Sequence, residues 1–90
     1  MIEVRLFATF RDIVNSKLEY GVDEVDSVGS LLSKLVDEYP EMEDQLFENN
    51  ELRDNIMILI NGKNIEFLKK LDTELEKGDR VAIFPPIAGG

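Results

Sequence analysis

The sequence contains no cysteine and no histidine among its 90 residues. The chain therefore cannot supply a thiolate nucleophile, an imidazole general base, or the Cys and His ligands typical of zinc and iron–sulfur sites. A serine-hydrolase triad that depends on histidine is excluded as well. Acids are plentiful, but neighbouring carboxylates in so acidic a chain are weak evidence for catalysis. We expect no metal site.

Long hydrophobic runs are also absent. No stretch of about 18 apolar residues is present, so we expect no membrane span. The N-terminal segment 1–5 carries both an acid and a base and lacks a small-residue cleavage site, which argues against a signal peptide. A chain without disulfides suits a reducing compartment, and we expect it in the cytoplasm.

Positive charge is scarce. Ten Lys and Arg face 19 Asp and Glu, for a net charge of −9. Such a surface repels nucleic acid and anionic lipid, so we expect neither as a partner. It suits docking on a basic protein, or solubility alone, and charge by itself does not separate these two interpretations.

Periodicity predicts the main elements. Apolar residues alternate with others from Ile2 to Ala8, which is typical of a strand, and a helical turn at 10–14 precedes a second strand near 17–22. Asp26 or Ser27 can cap a helix. Its apolar stripe follows the i, i+3, i+4 spacing and comprises Val28, Leu31, Leu32, Leu35, Val36 and Tyr39. Pro40 ends it.

The second half of the chain reads as short strands and turns. Residues 41–55 are acid-rich and predict a short helical piece and a surface loop. A buried strand at 56–60 leads into Asn61-Gly62, a strong hairpin signal, with 63–67 as the return. The turn at 77–79 begins the last strand, 80–84.

This order of elements predicts a β-grasp, the ubiquitin-like α+β fold. We expect a mixed sheet of four to five strands, with the first and last strands side by side and one main helix across one face. A ferredoxin-like layout would require a second long amphipathic helix, which the sequence lacks. We expect one domain at 1–84 and an extended tail at 85–90.

The tail carries the most specific signal. Two prolines project the chain as a stiff stem, and small residues follow, so the end can enter a narrow channel and expose its carboxylate. A frayed end is the alternative. The tail residues are Pro85, Pro86, Ile87, Ala88, Gly89 and Gly90.

These residues resemble the MoaD family, the small subunits of molybdopterin synthase. The match includes the end from Lys77-Gly78-Asp79 to Gly90, the start from Ile2 to Ala8 with Arg11-Asp12, and the Asn61-Gly62 hairpin. The Phe-Pro-Pro stem favours this branch over ubiquitin and the thiamine-pathway carriers. The acid-rich segment 41–55 makes the chain longer than a typical member and leaves room for the archaeal small modifier proteins.

The resemblance implies chemistry on Gly90. An E1-like adenylating enzyme of the MoeB kind would use ATP and Mg²⁺ to join the terminal carboxylate to AMP. A sulfur donor would then displace AMP and leave a thiocarboxylate. The tail would deliver this sulfur inside the large subunit, of the MoaE type. The chain would bind no cofactor itself and would have no active site of its own.

Strand parity suggests where a partner docks. If Ile2, Val4 and Leu6 face the helix, Phe7 points away from it, and Phe84 does the same one strand over. We expect both rings on the helix-free side at the root of the tail, as a partner-binding pair. The positions match residues that family members use in the interface between subunits. Packing under a loop is the alternative.

Two other functions remain open. The chain could be a ubiquitin-like modifier that joins target-protein lysines through Gly90, which needs the same activation step. It could instead be a β-grasp binding module whose tail undergoes no covalent chemistry.

Overall fold

The computed structural model describes residues 1–14 and 17–85. The helices are α1 (Phe10–Ile13), α2 (Val28–Glu38) and α3 (Met42–Leu46), with 3₁₀ turns at Ile65–Phe67 and Lys70–Asp72. The strands are β1 (Ile2–Leu6), β2 (Lys17–Tyr20), β3 (Phe47–Glu48), β4 (Glu51–Leu52), β5 (Met57–Ile60), β6 (Lys63–Asn64) and β7 (Arg80–Phe84).

Five strands form one mixed sheet in the order β2-β1-β7-β5-β6. The first and last long strands, β1 and β7, are parallel neighbours, with Glu3 opposite Arg80 and Leu6 opposite Ile83. The other neighbouring pairs are antiparallel. Since α2 packs across one face, the predicted β-grasp fold is confirmed, including the pairing of the two terminal strands.

The predicted long helix is confirmed, together with its cap. Ser27 accepts a hydrogen bond from the Ser30 amide (3.1 Å), and the Ser30 hydroxyl accepts one from the Ser27 amide (3.0 Å), a reciprocal capping box. The helix ends at Glu38, two residues before Pro40. Its predicted stripe is buried at four positions, namely Val28, Leu31, Leu32 and Leu35, and half-buried at Val36 and Tyr39.

The core lies between α2 and one face of the sheet. Alternate residues of β1 and β7 enter it, and Ile2, Val4, Val81 and Ile83 are all fully buried. Each such side chain contributes about 1.5–3 kcal/mol relative to an exposed one. Because side chains alternate along a strand, those on one side of β1 and β7 fill the core and stabilise the fold.

The hairpin at Asn61-Gly62 forms as predicted. Both residues have positive φ, 51° and 89°, as a type I′ turn requires. The predicted return over 63–67 is wrong beyond Asn64, because a 3₁₀ turn begins at Ile65. The Asn64 side chain accepts a hydrogen bond from the Glu66 amide (2.9 Å), which turns the chain and buries Ile65.

The acid-rich segment contains more structure than predicted. Its short helical piece is α3, but the expected loop includes the hairpin of β3 and β4. Asn49 and Asn50 connect these strands with φ of 54° and 66°, a conformation that asparagine tolerates better than most residues. The predicted second strand is also shorter, since β2 ends at Tyr20 and a turn begins at Gly21.

Across the two described ranges, no helix combines the length and the apolar character needed to cross a membrane.

Candidate functional site

Five of the predicted tail residues, Pro86, Ile87, Ala88, Gly89 and Gly90, lie outside the described residues. The structure does describe the point from which they extend. Pro85 follows β7 directly and is half-buried. The division between a domain at 1–84 and a tail at 85–90 stays a prediction.

The strand that leads to the tail is central in the sheet. β7 has β1 on one side and β5 on the other, with Ile83 in register with Leu6 and with Ile58. Hydrogen bonds on both edges and a fully buried Ile83 hold the strand in place. The root of the tail is therefore a rigid position.

The structure brings the predicted aromatic pair together. The rings of Phe7 and Phe84 stack with centroids 4.4 Å apart and an angle of 9° between their planes. Both side chains are half-buried. The Phe7 amide donates to the Ile83 carbonyl (3.3 Å), and the Phe7 carbonyl accepts from the Phe10 amide (3.2 Å), so the backbone also holds Phe7. Whether a partner binds there stays a prediction.

A third apolar side chain joins this pair. Met57 lies opposite Phe84 in the antiparallel register and is 40% exposed. Phe7, directly after β1, thus forms one row with Phe84 of β7 and Met57 of β5, which we call the tail-root row. The sequence indicated that the strand at 56–60 is apolar on both faces. It did not give the register that places Met57 beside Phe84.

Charged residues occupy the same face farther from the tail. The Nε of Arg5 donates to Glu3 (2.9 Å), and the Nζ of Lys17 lies 3.4 Å from both Glu3 and Glu19. The hydrogen bond from Arg5, with the charges of Arg5 and Lys17, holds the pKa of Glu3 below its ordinary value. This side of the sheet, opposite α2, we call the open face.

A shallow groove of about 640 Å³ runs along the open face. Phe7 lies at one end, and Ala82 and Leu59 form part of the lining. At the other end are the two turn glycines, Gly62 and Gly78, where an added Cβ would meet no atom within 4 Å. The groove therefore connects the root of the tail with the turns at the far end of the sheet.

The described part of the chain contains no cluster of metal-ligating side chains. No group of three or more His, Cys, Asp or Glu residues there is arranged to hold an ion. Within the same ranges, no buried side-chain nitrogen or oxygen lacks a hydrogen-bond partner. What the site offers chemically is a rigid strand end, a stacked aromatic pair and an adjacent groove.

Comparison with known proteins identifies what this arrangement resembles. The family model described as the ThiS family matches residues 4–90, which include Gly89 and Gly90. Small archaeal modifier protein 3 of Haloferax volcanii is 40% identical over 90 residues, covering 99% of this chain and 98% of that protein. A protein of Archaeoglobus fulgidus, designated a candidate sulfur carrier, is 35% identical over 99% of this chain and 98% of its own length.

Solved structures agree in fold. The crystal structure of small archaeal modifier protein 1 (SAMP1) from Haloferax volcanii gives a TM-score of 0.84 at 33% identity, covering 99% of this chain and 98% of that one. A candidate molybdopterin converting factor subunit 1 from Pyrococcus furiosus gives 0.76 at 26% identity, covering 96% and 97%. The tail root described above is thus part of a shared ubiquitin-like framework.

Proposed function

Because this chain belongs to the ThiS family of ubiquitin-like proteins, we propose that it carries sulfur as a thiocarboxylate on the C-terminal carboxylate of Gly90. The observation that carries the proposal is the family match, which extends over the Gly89-Gly90 end. The rigid root at β7 supports it, since a central strand gives a partner enzyme a fixed base from which the tail extends.

Activation takes two steps on an E1-like adenylating enzyme of the MoeB kind. A Gly90 carboxylate oxygen attacks the α-phosphorus of ATP, pyrophosphate leaves, and Mg²⁺ on the enzyme balances the phosphate charge. A sulfide-level sulfur (HS⁻) from the donor then attacks the acyl carbon, the bond between that carbon and the AMP oxygen breaks, AMP leaves, and the thiocarboxylate remains on Gly90. The sequence of steps is required because a free carboxylate is a poor electrophile, whereas the mixed anhydride has a good leaving group.

In this proposal the chain contributes position and recognition, and the partner enzyme supplies the catalytic groups. The tail-root row is the contact that aligns the tail, with Phe7 and Phe84 as its aromatic centre. Partly exposed aromatic side chains held rigidly are typical of residues that dominate binding energy at interfaces. Because the chain has no cysteine, a reducing cytoplasm is the proposed location.

The first candidate acceptor is the pterin precursor in molybdopterin synthase, with this chain as the small subunit bound to a large subunit of the MoaE type. Support comes from the tail sequence Phe84-Pro85-Pro86 and from the fold shared with the Pyrococcus furiosus subunit.

A second candidate function is protein modification, in which the activated Gly90 carbonyl forms an isopeptide bond with lysines of target proteins. The observation that favours it is the 40% identity with small archaeal modifier protein 3 over nearly the whole of both chains. Both functions share the adenylation step, so one protein can serve both.

Intact mass tests the shared step. Incubation with an E1-like enzyme, ATP, Mg²⁺ and a sulfur source should raise the mass by about 16 Da, as one oxygen is replaced by sulfur. Omission of ATP and deletion of Gly90 are the matched controls, and both should show no gain. An unchanged mass, with a Gly90 deletion that leaves cells unaffected, would favour a non-covalent binding module.

Experiments in cells distinguish the two candidate acceptors, the pterin precursor and the lysines of target proteins. A tagged chain that modifies proteins should give a ladder of conjugates on a blot, lost when Gly89-Gly90 are deleted. A chain that acts only as a sulfur carrier should give no ladder of conjugates. Deletion of Gly89-Gly90 from such a carrier should abolish molybdopterin production.

A further inference from the structure

The open face differs in charge from the rest of the chain. Strand register and alternation place three bases and two acids on it: Arg5, Lys17 and Arg80, with Glu3 and Glu19. The rest of the chain has seven bases against 17 acids. The open face is thus much less acidic than the rest of the chain taken together.

Within this face one base is left without an acid. Glu3 and Arg80 are opposite each other in the parallel register of β1 and β7. The Glu3 carboxylate nevertheless pairs with Arg5 (2.9 Å) and Lys17 (3.4 Å). Over residues 1–14 and 17–85, no carboxylate lies within ion-pair distance of the Arg80 guanidinium. Its side chain is exposed, and it lines the groove.

The position of Arg80 relative to the tail is fixed by its strand. Arg80 and Phe84 are the two ends of β7 and point to the same side, because they are four positions apart and side chains alternate along a strand. At about 3.3 Å per residue, their Cα atoms are roughly 13 Å apart. The small side chain of Ala82 lies between them, so the groove stays open from the tail-root row to the guanidinium.

An arginine at such a position is well suited to bind a carboxylate. Its planar guanidinium keeps its charge at all physiological pH values and can donate two parallel hydrogen bonds to one carboxylate. The backbone beneath is held, because the Asn61 side chain accepts from the Arg80 amide (3.0 Å) and donates to Asp79 (2.9 Å). Because this backbone is already held, only the side-chain rotamers of Arg80 have to be fixed when it binds.

We propose that Arg80 binds a carboxylate of the enzyme that activates Gly90, and that this contact aligns the enzyme along the groove. This inference rests on the proposed function, since it concerns the enzyme that charges the tail. The partner surface presents apolar side chains to the tail-root row and an Asp or Glu about 13 Å away, at the level of Arg80. It is therefore acidic at this contact.

A partner that is acidic at this contact is the opposite of what the net charge of the chain predicts. A chain of −9 should by long-range attraction favour a basic partner. Most of that charge lies elsewhere, however, and segment 37–54 alone has eight acids and one base. Close charge complementarity determines orientation and specificity at an interface. The local charge around the groove should therefore dominate over the net charge.

The test compares two charge reversals of equal size. Arg80→Glu and Lys77→Glu each change the net charge by the same amount, and both side chains are exposed, but Lys77 does not line the groove. The dissociation constant is measured with the purified E1-like adenylating enzyme and the full chain, and thermal unfolding checks that both variants fold. We expect Arg80→Glu to weaken binding about ten-fold or more, and Lys77→Glu less than about two-fold.

Other outcomes would overturn the proposal. Equal effects of the two reversals would show that only net charge matters, and tighter binding of Arg80→Glu would show that the contact is with a basic surface. Arg80→Lys should recover part of the affinity, since it restores charge without the planar fork. If Arg80→Lys recovered no affinity and bound the enzyme as weakly as Arg80→Ala, the charge of residue 80 would have no role in binding.

The mass assay separates this idea from the proposed function. Lys77→Glu, whose side chain does not line the groove, should gain about 16 Da as the wild type does, because the carboxylate chemistry is on Gly90. A wild-type chain that never gains this mass would refute the proposed function. A wild-type chain that gains it, with Arg80→Glu binding as tightly as wild type, would refute only the role of Arg80.

Discussion

The two faces of the five-stranded sheet consist of alternate residues of the same strands, yet their side chains differ in burial and in chemistry. On the face covered by α2, Ile2, Val4 and Ile83 are fully buried. On the open face, Met57 is 40% exposed, Arg5 and Arg80 are exposed, and Phe7 and Phe84 are half-buried. Residues on the covered face therefore contribute mainly to stability, and residues on the open face are available for binding a partner. Substitutions at adjacent positions of one strand should then affect different properties.

The largest expected effect tests the covered face. Ile83→Ala removes a side chain that is completely buried in a central strand and leaves a cavity, so it should lower the free energy of unfolding by about 2–5 kcal/mol. Urea unfolding measures the loss. Phe84→Ala, one residue later, should cost less, since its ring is half-buried. A greater loss for Phe84→Ala would contradict the division between the faces.

Binding should respond to the other face. Changing Phe7 and Phe84 together to Ser should weaken binding to the large subunit or the adenylating enzyme by about ten-fold or more, because the aromatic centre of the contact is lost. Phe67→Ser is the matched control, since Phe67 is 87% exposed and lies outside the tail-root row. Unaltered affinity of the double variant, with its fold intact, would remove the partner-binding role.

A smaller effect concerns the contact that joins β2 to the end of α2. The Tyr20 hydroxyl donates to Glu38 at 2.5 Å, and burial, followed by this hydrogen bond, raises the pKa of Tyr20 above its ordinary value of 10.0. Tyr20→Phe should cost about 1 kcal/mol near neutral pH. Tyr39→Phe is the control, because its hydroxyl makes no hydrogen bond within the described ranges.

The pH dependence of Tyr20 has a defined sign. Since its pKa is higher in the folded state, the folded protein retains this proton more strongly, and the contribution to stability is complete below pH 10 and is lost as the pH rises further. Wild-type unfolding free energy should therefore fall in that range, and Tyr20→Phe should lack this part of the decline. An identical decline in both proteins would contradict the assignment.

The smallest effect is at the charged end of the open face. Because the pKa of Glu3 lies below its ordinary value of 4.5, its contribution to stability is present above that pH and is lost as the pH falls below it. Glu3→Gln should make the acid side of the stability profile slightly less steep. Glu51→Gln, at an exposed acid without an ion pair in the described residues, is the matched control.

Much of the fold could be predicted from local patterns. The helix α2 could be predicted because its N-cap, its apolar stripe and the proline that ends it all lie within residues 26–40. The turn at Asn61-Gly62 was equally readable, since these two residues tolerate positive φ. The hairpin through Asn49-Asn50 carried the same signal in a weaker form. It was missed because the surrounding acids indicated a loop.

The candidate site was predictable in part. Strand alternation, with the assumption that the terminal strands pair, placed Phe7 and Phe84 near each other, and their stacking follows from that. The place of Met57 beside Phe84 and the place of Glu3 opposite Arg80 depend on registers between distant segments. β5 could have paired with β7 one residue out of step without any change in its local pattern, and Met57 would then have pointed to the core.

By itself, the sequence determined the long helix and the main strands, which side of β1 and β7 is apolar, and which chemistry the chain lacks. These properties depend on neighbours within a few residues. Only the tertiary structure decided that Arg80 lies opposite Glu3 without pairing with it, and that Met57 completes a row with Phe7 and Phe84. Such contacts join residues up to 77 positions apart, and burial and hydrogen bonding of the whole sheet select them together.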